Sequence, residues 1–277
     1  MGRIVSIHSY RGGTGKSNLT ANVAWQLAAR GRSVAVLDTD LQSPGVHMVL
    51  QLDPGRLTHT LSDYLFGQCE IEDAAYDISN TLPEGSGGKL WLLPSSMQVD
   101  AIVRIASDGY DVGRLNDQLI RLVDDLELDY LMLDTHPGLN RETMLTTAVS
   151  HVLLVVVRPD TQDMHGTAVL MQVADRLGVP HVHMIGNKVP RGVDPKQLRD
   201  RIAELFHHDV LGVLPLSEDV AALGSRGLFS RELPDHPVTR ELHAIVDRLV
   251  ERIEGGDGDA SSSEDGDAEP DETGAAP

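Results

Sequence analysis

Apolar residues in this chain follow two periods. Short unbroken runs have the length and β-branched content of buried strands: Ile4, Val5 and Ile7; Ser33–Asp38; Lys89–Pro94; the four residues ending at Asp134; Val152–Val157; Pro180–Ile185; and Val210–Pro215. Between the runs, apolar positions recur at helical spacing. Leu19, Val23, Leu27 and Ala28 form one such stripe, and Leu115, Leu119, Leu122, Val123 and Leu126 a second. Val238, Leu242, Ile245, Val246, Leu249 and Ile253 form a third. Helices are also expected over 58–66, from Ser95 through 97–107, over 111–127, up to Leu177, from Ser217 to about Gly224, and over 237–254. Pro83–Gly88 reads as a loop. About seven strands alternating with helices predict an α/β fold, a doubly wound and mainly parallel sheet flanked by helices, in one domain over residues 1–254.

The pattern stops at Glu254. Residues 255–277 contain eight acids, no base and no Ile, Leu, Val, Met or aromatic residue, so this acidic tail is expected to be disordered. With those eight acids set aside, residues 1–254 carry −11 of the chain's net charge of −19. Such a body disfavours generic attraction to DNA phosphates. Lys188, Arg191, Lys196, Arg199 and Arg201 cluster locally, diluted by Asp194 and Asp200, and read as a solvated loop and helix face. The single cysteine, Cys69, excludes an intramolecular disulfide, fits a reducing compartment and reads as a small hydrophobe. The longest apolar run is strand-sized, so no membrane helix is expected. The first strand starts too early for a signal peptide, which makes the expected location cytoplasmic.

The chemistry concentrates where strands end. After the first strand comes Arg11-Gly12-Gly13-Thr14-Gly15-Lys16-Ser17-Asn18, and Ser17 is expected to open a helix. Glycines let backbone N–H groups approach an anion, and a helix N-terminus adds unpaired donors and a positive dipole. The spelling G-x-x-x-x-G-K-[ST] is met at Gly15, Lys16 and Ser17, with Tyr10 in the first glycine's place. In such a loop the lysine reaches the β- and γ-phosphates and the hydroxyl ligates Mg²⁺. The second strand ends in Asp38-Thr-Asp40-Leu-Gln-Ser, and a later one in Asp134-Thr-His-Pro-Gly138. Carboxylates at the carboxyl ends of parallel strands stand where α/β sheets bind ligands. Two histidine pairs, His181 with His183 and His207 with His208, lack the carboxylates or thiolates at matching spacing that a metal site needs.

Arg11-Gly-Gly-Thr-Gly-Lys-Ser17 resembles the deviant loop K-G-G-x-G-K-[ST] of the ParA/MinD family of P-loop ATPases, with Arg11 replacing the first lysine. Asp38-Thr-Asp40-Leu-Gln42 is similar to the family's D-x-D-x-Q, and Leu93-Pro-Ser-Ser96 to its L-P-[SA]-S. Asp134-Thr-His-Pro-Gly138 is similar to D-[ST]-P-[PA]-G, and Gly212-Val-Leu-Pro215 to G-x-[IV]-P. The resemblance spans about residues 3–250. It implies ATP and Mg²⁺ as ligands, Asp38 and Asp134 near the metal, and Asp40 positioning the attacking water. It further implies that the Gly138 N–H meets the γ-phosphate, that Asn187 reads adenine, and that the segment ending at Pro215 packs over the base. Arg11 then reaches across an ATP-dependent homodimer to the other nucleotide. His136 stands where the family has an apolar residue and reads as a space-filler. Some members end in a basic amphipathic membrane helix; the final helix here has mixed charges and is expected to pack on the body.

The function implied is a dimerising, Mg²⁺-dependent ATPase switch that positions or partitions a cellular cargo through a protein partner or adaptor. An ATP-dependent small-molecule ligase or kinase on the same scaffold is the alternative, although no second catalytic constellation is evident to build its pocket. An iron–sulfur carrier needs paired cysteines, which Cys69 does not supply.

Overall fold

The computed structural model describes residues 2–255; the expected disordered tail lies outside the described residues, apart from Gly255. Eight strands form one sheet: β1 (Arg3–His8), β2 (Ser33–Asp38), β3 (Tyr76–Asp77), β4 (Lys89–Leu93), β5 (Tyr130–Asp134), β6 (Val152–Val157), β7 (His181–Val189) and β8 (Asp209–Pro215). Their order across the sheet is β3-β4-β2-β5-β1-β6-β7-β8. Every neighbouring pair is parallel except β3 with β4. The eleven α-helices of the described residues are α1 (Lys16–Ala29), α2 (Val46–Val49), α3 (Leu61–Leu65), α4 (Val99–Asp108), α5 (Val112–Asp125), α6 (Arg141–Ala148), α7 (Thr161–Leu177), α8 (Pro195–Phe206), α9 (Glu218–Leu223), α10 (Phe229–Glu232) and α11 (Pro237–Gly255).

Strand alternation sorts the core into layers. Val5 and Ile7 of β1, Val34 and Val36 of β2, and Leu154 and Val156 of β6 meet α1 and α11 on one face. Ala35 and Leu37 of β2 and Leu131 and Leu133 of β5 meet the α5 stripe of Leu115, Leu119, Leu122 and Val123 on the other. Beside that layer, Leu153, Val155 and Val157 of β6 pack with α7 and α8. Helix α1 is buried on nearly all sides, because α11 and α2 cover what the sheet does not. The α11 stripe Val238, Leu242, Ile245, Val246, Leu249 and Ile253 is buried, as expected of a helix packed on the body. Each of those side chains is worth about 1.5–3 kcal/mol buried rather than exposed. Among the described residues, no helix is long and apolar enough to cross a membrane.

Three expectations need correction. The sheet has eight strands rather than seven; β3 is a two-residue antiparallel edge, too short for its pattern to register in the sequence. Residues 95–98 are not helical. Ser95 Oγ donates to Asp38 O at 2.6 Å, and Ser96 N donates to Ser62 Oγ at 3.2 Å, so both serines tie the chain to its neighbours before α4 begins at Val99. Strand β7 continues through Asn187 and Lys188 to Val189, beyond the expected end at Ile185, with Lys188 at φ +55°. Cys69 is half-buried at the edge of the α5 layer, in keeping with its reading as a hydrophobe.

Candidate functional site

Strand β1 lies at the centre of the sheet, and the chain leaves it to build on both sides, so a crevice opens at the carboxyl ends of β5, β1 and β6. The loop 9–15 crosses this crevice. Gly15 holds φ +95° and caps α1, which therefore starts at Lys16 rather than at Ser17. A Cβ on Gly15 would come within 2.6 Å of Asn187 Nδ2, so only glycine fits there. A cleft of about 310 Å³ runs along the loop, lined by residues 11–18 with Asp40, Ser43, Pro137, Lys188 and Ser225. It adjoins a second, more apolar cleft of about 270 Å³, walled by Leu19, Asn187, Leu214, Pro215, Val220 and Phe229 among others. Gly15, Asn18, Lys188 and Ser225 line both.

The charged centre is buried. Lys16 Nζ donates to Asp134 Oδ1 at 2.7 Å, and Thr20 Oγ1 donates to the same oxygen at 3.2 Å. Asp134 Oδ2 is buried with no hydrogen-bond partner. Asp38 pairs in register with Asp134 on the adjacent strand. Its Oδ2 accepts from Gly45 N at 3.0 Å, and its Oδ1 accepts from Asp40 N at 3.2 Å. Burial, and then the charge of Asp134, push the Asp38 carboxyl well above the usual carboxylate range. Two carboxylates thus face one lysine. The buried Asp134 oxygen left without a hydrogen-bond partner suits a hard divalent cation such as Mg²⁺, toward which the Ser17 hydroxyl of the adjoining loop would add a further oxygen.

His8, a residue absent from the sequence expectations, ties β1 to the turn after β5. Its Nε2 lies 2.9 Å from Gly138 O and its Nδ1 lies 2.7 Å from Thr135 Oγ1. A carbonyl only accepts, so Nε2 carries the proton. Burial, and then the charge of Lys16, lower the His8 pKa to about 3, so the ring is neutral; the Thr135 hydroxyl at its Nδ1 also donates to Ile7 O at 2.9 Å. Gly138 has φ +96°, and its N–H donates to Ser9 O at 3.0 Å, so this structure closes that donor on the loop instead of presenting it to the cleft. His136 is not a space-filler: its Nδ1 lies 2.7 Å from Asp40 Oδ1.

On the other side, Asn187 Nδ2 donates to Thr14 O at 2.7 Å, and its Oδ1 accepts from Lys188 N at 2.9 Å. One amide N–H and one lone pair remain for a ligand in the adjoining apolar cleft. Lys188, grouped by sequence with a solvated basic patch, instead donates to Gly13 O at 2.7 Å and is half-buried. A lysine directly after Asn187 at a strand end was the signal that could have marked it. Arg11 is largely exposed, with Nη1 3.6 Å from Asp160 Oδ1. The structure therefore brings Arg11 to Asn18, Asp38, Asp40, Asp134, Asn187 and Pro215 around two joined clefts, and turns the Gly138 N–H away from them.

A family model described as ParA, NUBPL iron-transfer P-loop NTPase, matches residues 1–250. The chain is similar to an uncharacterised ATP-binding protein of Methanocaldococcus jannaschii, at 27% identity over 89% of this chain and 87% of that protein. It is similar to the antiactivator FleN of Pseudomonas aeruginosa, at 27% identity over 79% of this chain and 75% of that protein. In fold it is similar to the septum site-determining protein MinD of Pyrococcus horikoshii, solved with Mg-ADP. That match has a TM-score of 0.76 and 22% identity, and covers 91% of this chain and 98% of that one.

Proposed function

The chain belongs to the ParA family of P-loop NTPases, and on that premise we propose that it is an ATP-dependent dimerising switch that hydrolyses ATP to position or partition a cellular cargo. The observation that carries this reading is the pair of joined clefts, one polar and loop-lined, the other apolar, in the arrangement a nucleoside triphosphate requires. In this reading the loop backbone from Gly12 to Ser17 and the α1 N-terminus cradle the phosphates, and Lys16 neutralises the charge that develops on them. Asp134 and Ser17 hold Mg²⁺, with Asp38 behind them. When bound there, the metal would offset the negative charge of the phosphates. Asp40, which lines the phosphate cleft, orients the attacking water. Asn187 and Pro215 face the base, and Arg11 leaves Asp160 to meet the nucleotide of a second copy.

A named relative that determines septum sites supports a positioning role, and an acidic body favours a protein adaptor over DNA as the partner. The iron transfer in the family description finds little to work with here. The chain has one cysteine, and clusters of that kind are commonly held by four thiolates. The reading is tested by light scattering on an Asp40→Ala variant, expected to bind ATP without hydrolysing it. A mass that doubles with ATP–Mg²⁺ and not with ADP supports the switch. A mass unmoved by ATP, with ATP binding measured in the same sample, overturns it.

A further inference from the structure

Parallel pairing sets Asp38 opposite Asp134 at the ends of β2 and β5. The two chains leave the sheet side by side, so the second residue beyond each strand end meets the other: Asp40 and His136, Nδ1 to Oδ1, at 2.7 Å. Ser43 donates to the same oxygen twice, through its N–H at 3.1 Å and its hydroxyl at 3.0 Å. An ionised carboxylate only accepts, so Nδ1 carries the ring proton in this contact. All three bonds fall on Oδ1, which leaves Oδ2 as the oxygen able to meet a molecule in the phosphate cleft that Asp40 lines. His136 does not line that cleft. It lies behind Asp40, in a small gap with Thr39, Leu41, Gln42, Asn140 and Thr143.

We propose that His136 is a positioning residue, which fixes the Asp40 carboxylate so that its free oxygen faces the attacking water and thereby sets the rate of ATP hydrolysis without touching nucleotide. The inference rests on the reading of Asp40 as the water-orienting carboxylate. Its physical basis is restriction. Asp40 stands on an irregular segment after its strand, and Ser43, three residues on, belongs to the same segment and moves with it. His136 is anchored to a different strand, and a donor from there fixes the carboxylate against the sheet. An aliphatic side chain or a proline at position 136 has no donor and cannot do this. Small errors in the placement of a reacting group are costly to the chemical step while leaving ground-state binding intact.

The test compares ATP hydrolysis and equilibrium binding of a fluorescent ATP analogue with Mg²⁺ in the full chain and in His136→Ala, His136→Asn, Asp40→Ala and the Asp40→Ala/His136→Ala double variant. His136→Ala is expected to lower kcat roughly tenfold to a hundredfold with analogue affinity unchanged. His136→Asn places an amide N–H near the former Nδ1 and is expected to recover most of the rate. In the Asp40→Ala background the second substitution is expected to cost nothing further. Wild-type kcat in His136→Ala while Asp40→Ala is inactive overturns the role of His136 and leaves that of Asp40 standing. So does a rate loss that His136→Asn does not restore, or one matched by a loss of analogue binding. Wild-type turnover in Asp40→Ala overturns the reading of Asp40 itself.

Discussion

On the side of β2 and β5 the crevice is backed by charged and ring side chains that hold one another: Lys16 on Asp134, His136 on Asp40, and His8 on Thr135 and Gly138. On the side of β7 and β8 it is walled by Leu214, Pro215, Val220 and Phe229, with polar contact limited largely to Asn187, Lys188 and Ser217. Both sides flank the same glycine loop, and the difference follows from what each would meet. Phosphate and metal carry full charges, and groups complementary to them are costly to bury unless they are paired within the protein. A base is a flat, weakly polar ring, for which shape and a few amide contacts suffice. The first wall is thus interlocked and sensitive to single substitutions, and the second is tolerant.

The comparison breaks most sharply at Lys16. In Lys16→Ala, Asp38 and Asp134 remain side by side and buried with no cation between them. The loss of one partner from a buried pair is expected to cost about 3–5 kcal/mol of folding stability, along with nucleotide binding. Urea denaturation with and without Mg²⁺ measures this. A smaller loss when Mg²⁺ is present would mark the two carboxylates as the place where the metal acts, and a loss below about 1 kcal/mol would refute the interlocked wall.

A narrower test uses His8, whose pKa in the folded chain, about 3, lies below its ordinary value of 6.5. Between those values the unfolded chain binds a proton that the folded chain does not. His8 therefore contributes stability that is full above pH 6.5 and is lost as pH falls toward 3. One such group changes the slope by about 1.4 kcal/mol per pH unit. His8→Gln keeps a donor for Gly138 O and has no ring to titrate. Its stability between pH 6.5 and 5 is expected to fall less steeply than that of the parent by about this amount. His47, His151, His183 and His243 are also shifted down by burial and contribute equally to both proteins. Parallel slopes would remove His8 from the buried, neutral set.

The interlocked wall was also the more legible in the sequence. Asp38 and Asp134 end apolar runs, and Lys16 follows a glycine loop, so strand periodicity and loop spelling locate all three. What the sequence hid on that side was pairing across strands. His8 and His136 are 128 residues apart in number and become partners of one turn only because β1 and β5 are neighbours in register. On the tolerant wall, Asn187 and Pro215 were found through family resemblance alone, since an amide and a proline at strand ends are equally ordinary turn residues. Lys188 was misplaced because net charge and clustering describe a surface, whereas its left-handed backbone, φ +55°, turns the side chain back onto the loop. Strand β3 and the serines before α4 escaped for a related reason: two residues of pairing and a few side-chain to backbone bonds leave no periodic trace.

Lys188 offers the finest test of the tolerant wall, because it is the cation of that side and reaches Gly13 O over the loop. Burial, and then the charge of Arg158, lower its pKa, yet the side chain stays partly open to solvent, so its contribution is screened. Lys188→Ala removes one charge-assisted hydrogen bond and a point charge that lines both clefts. The expected loss is about 1 kcal/mol in nucleotide affinity, or roughly fivefold in Kd. It should be nearly the same for ADP as for ATP if the lysine acts through the loop, and larger for ATP if it touches the γ-phosphate. Alanine inherits the left-handed backbone and glycine does not resent it, so Lys188→Gly should be more stable than Lys188→Ala by about 1 kcal/mol with the same loss of affinity. Calorimetric titration of both variants with both nucleotides separates these contributions. A loss of a hundredfold or more from Lys188→Ala would place this lysine with Lys16 in the interlocked wall and erase the distinction between the two sides.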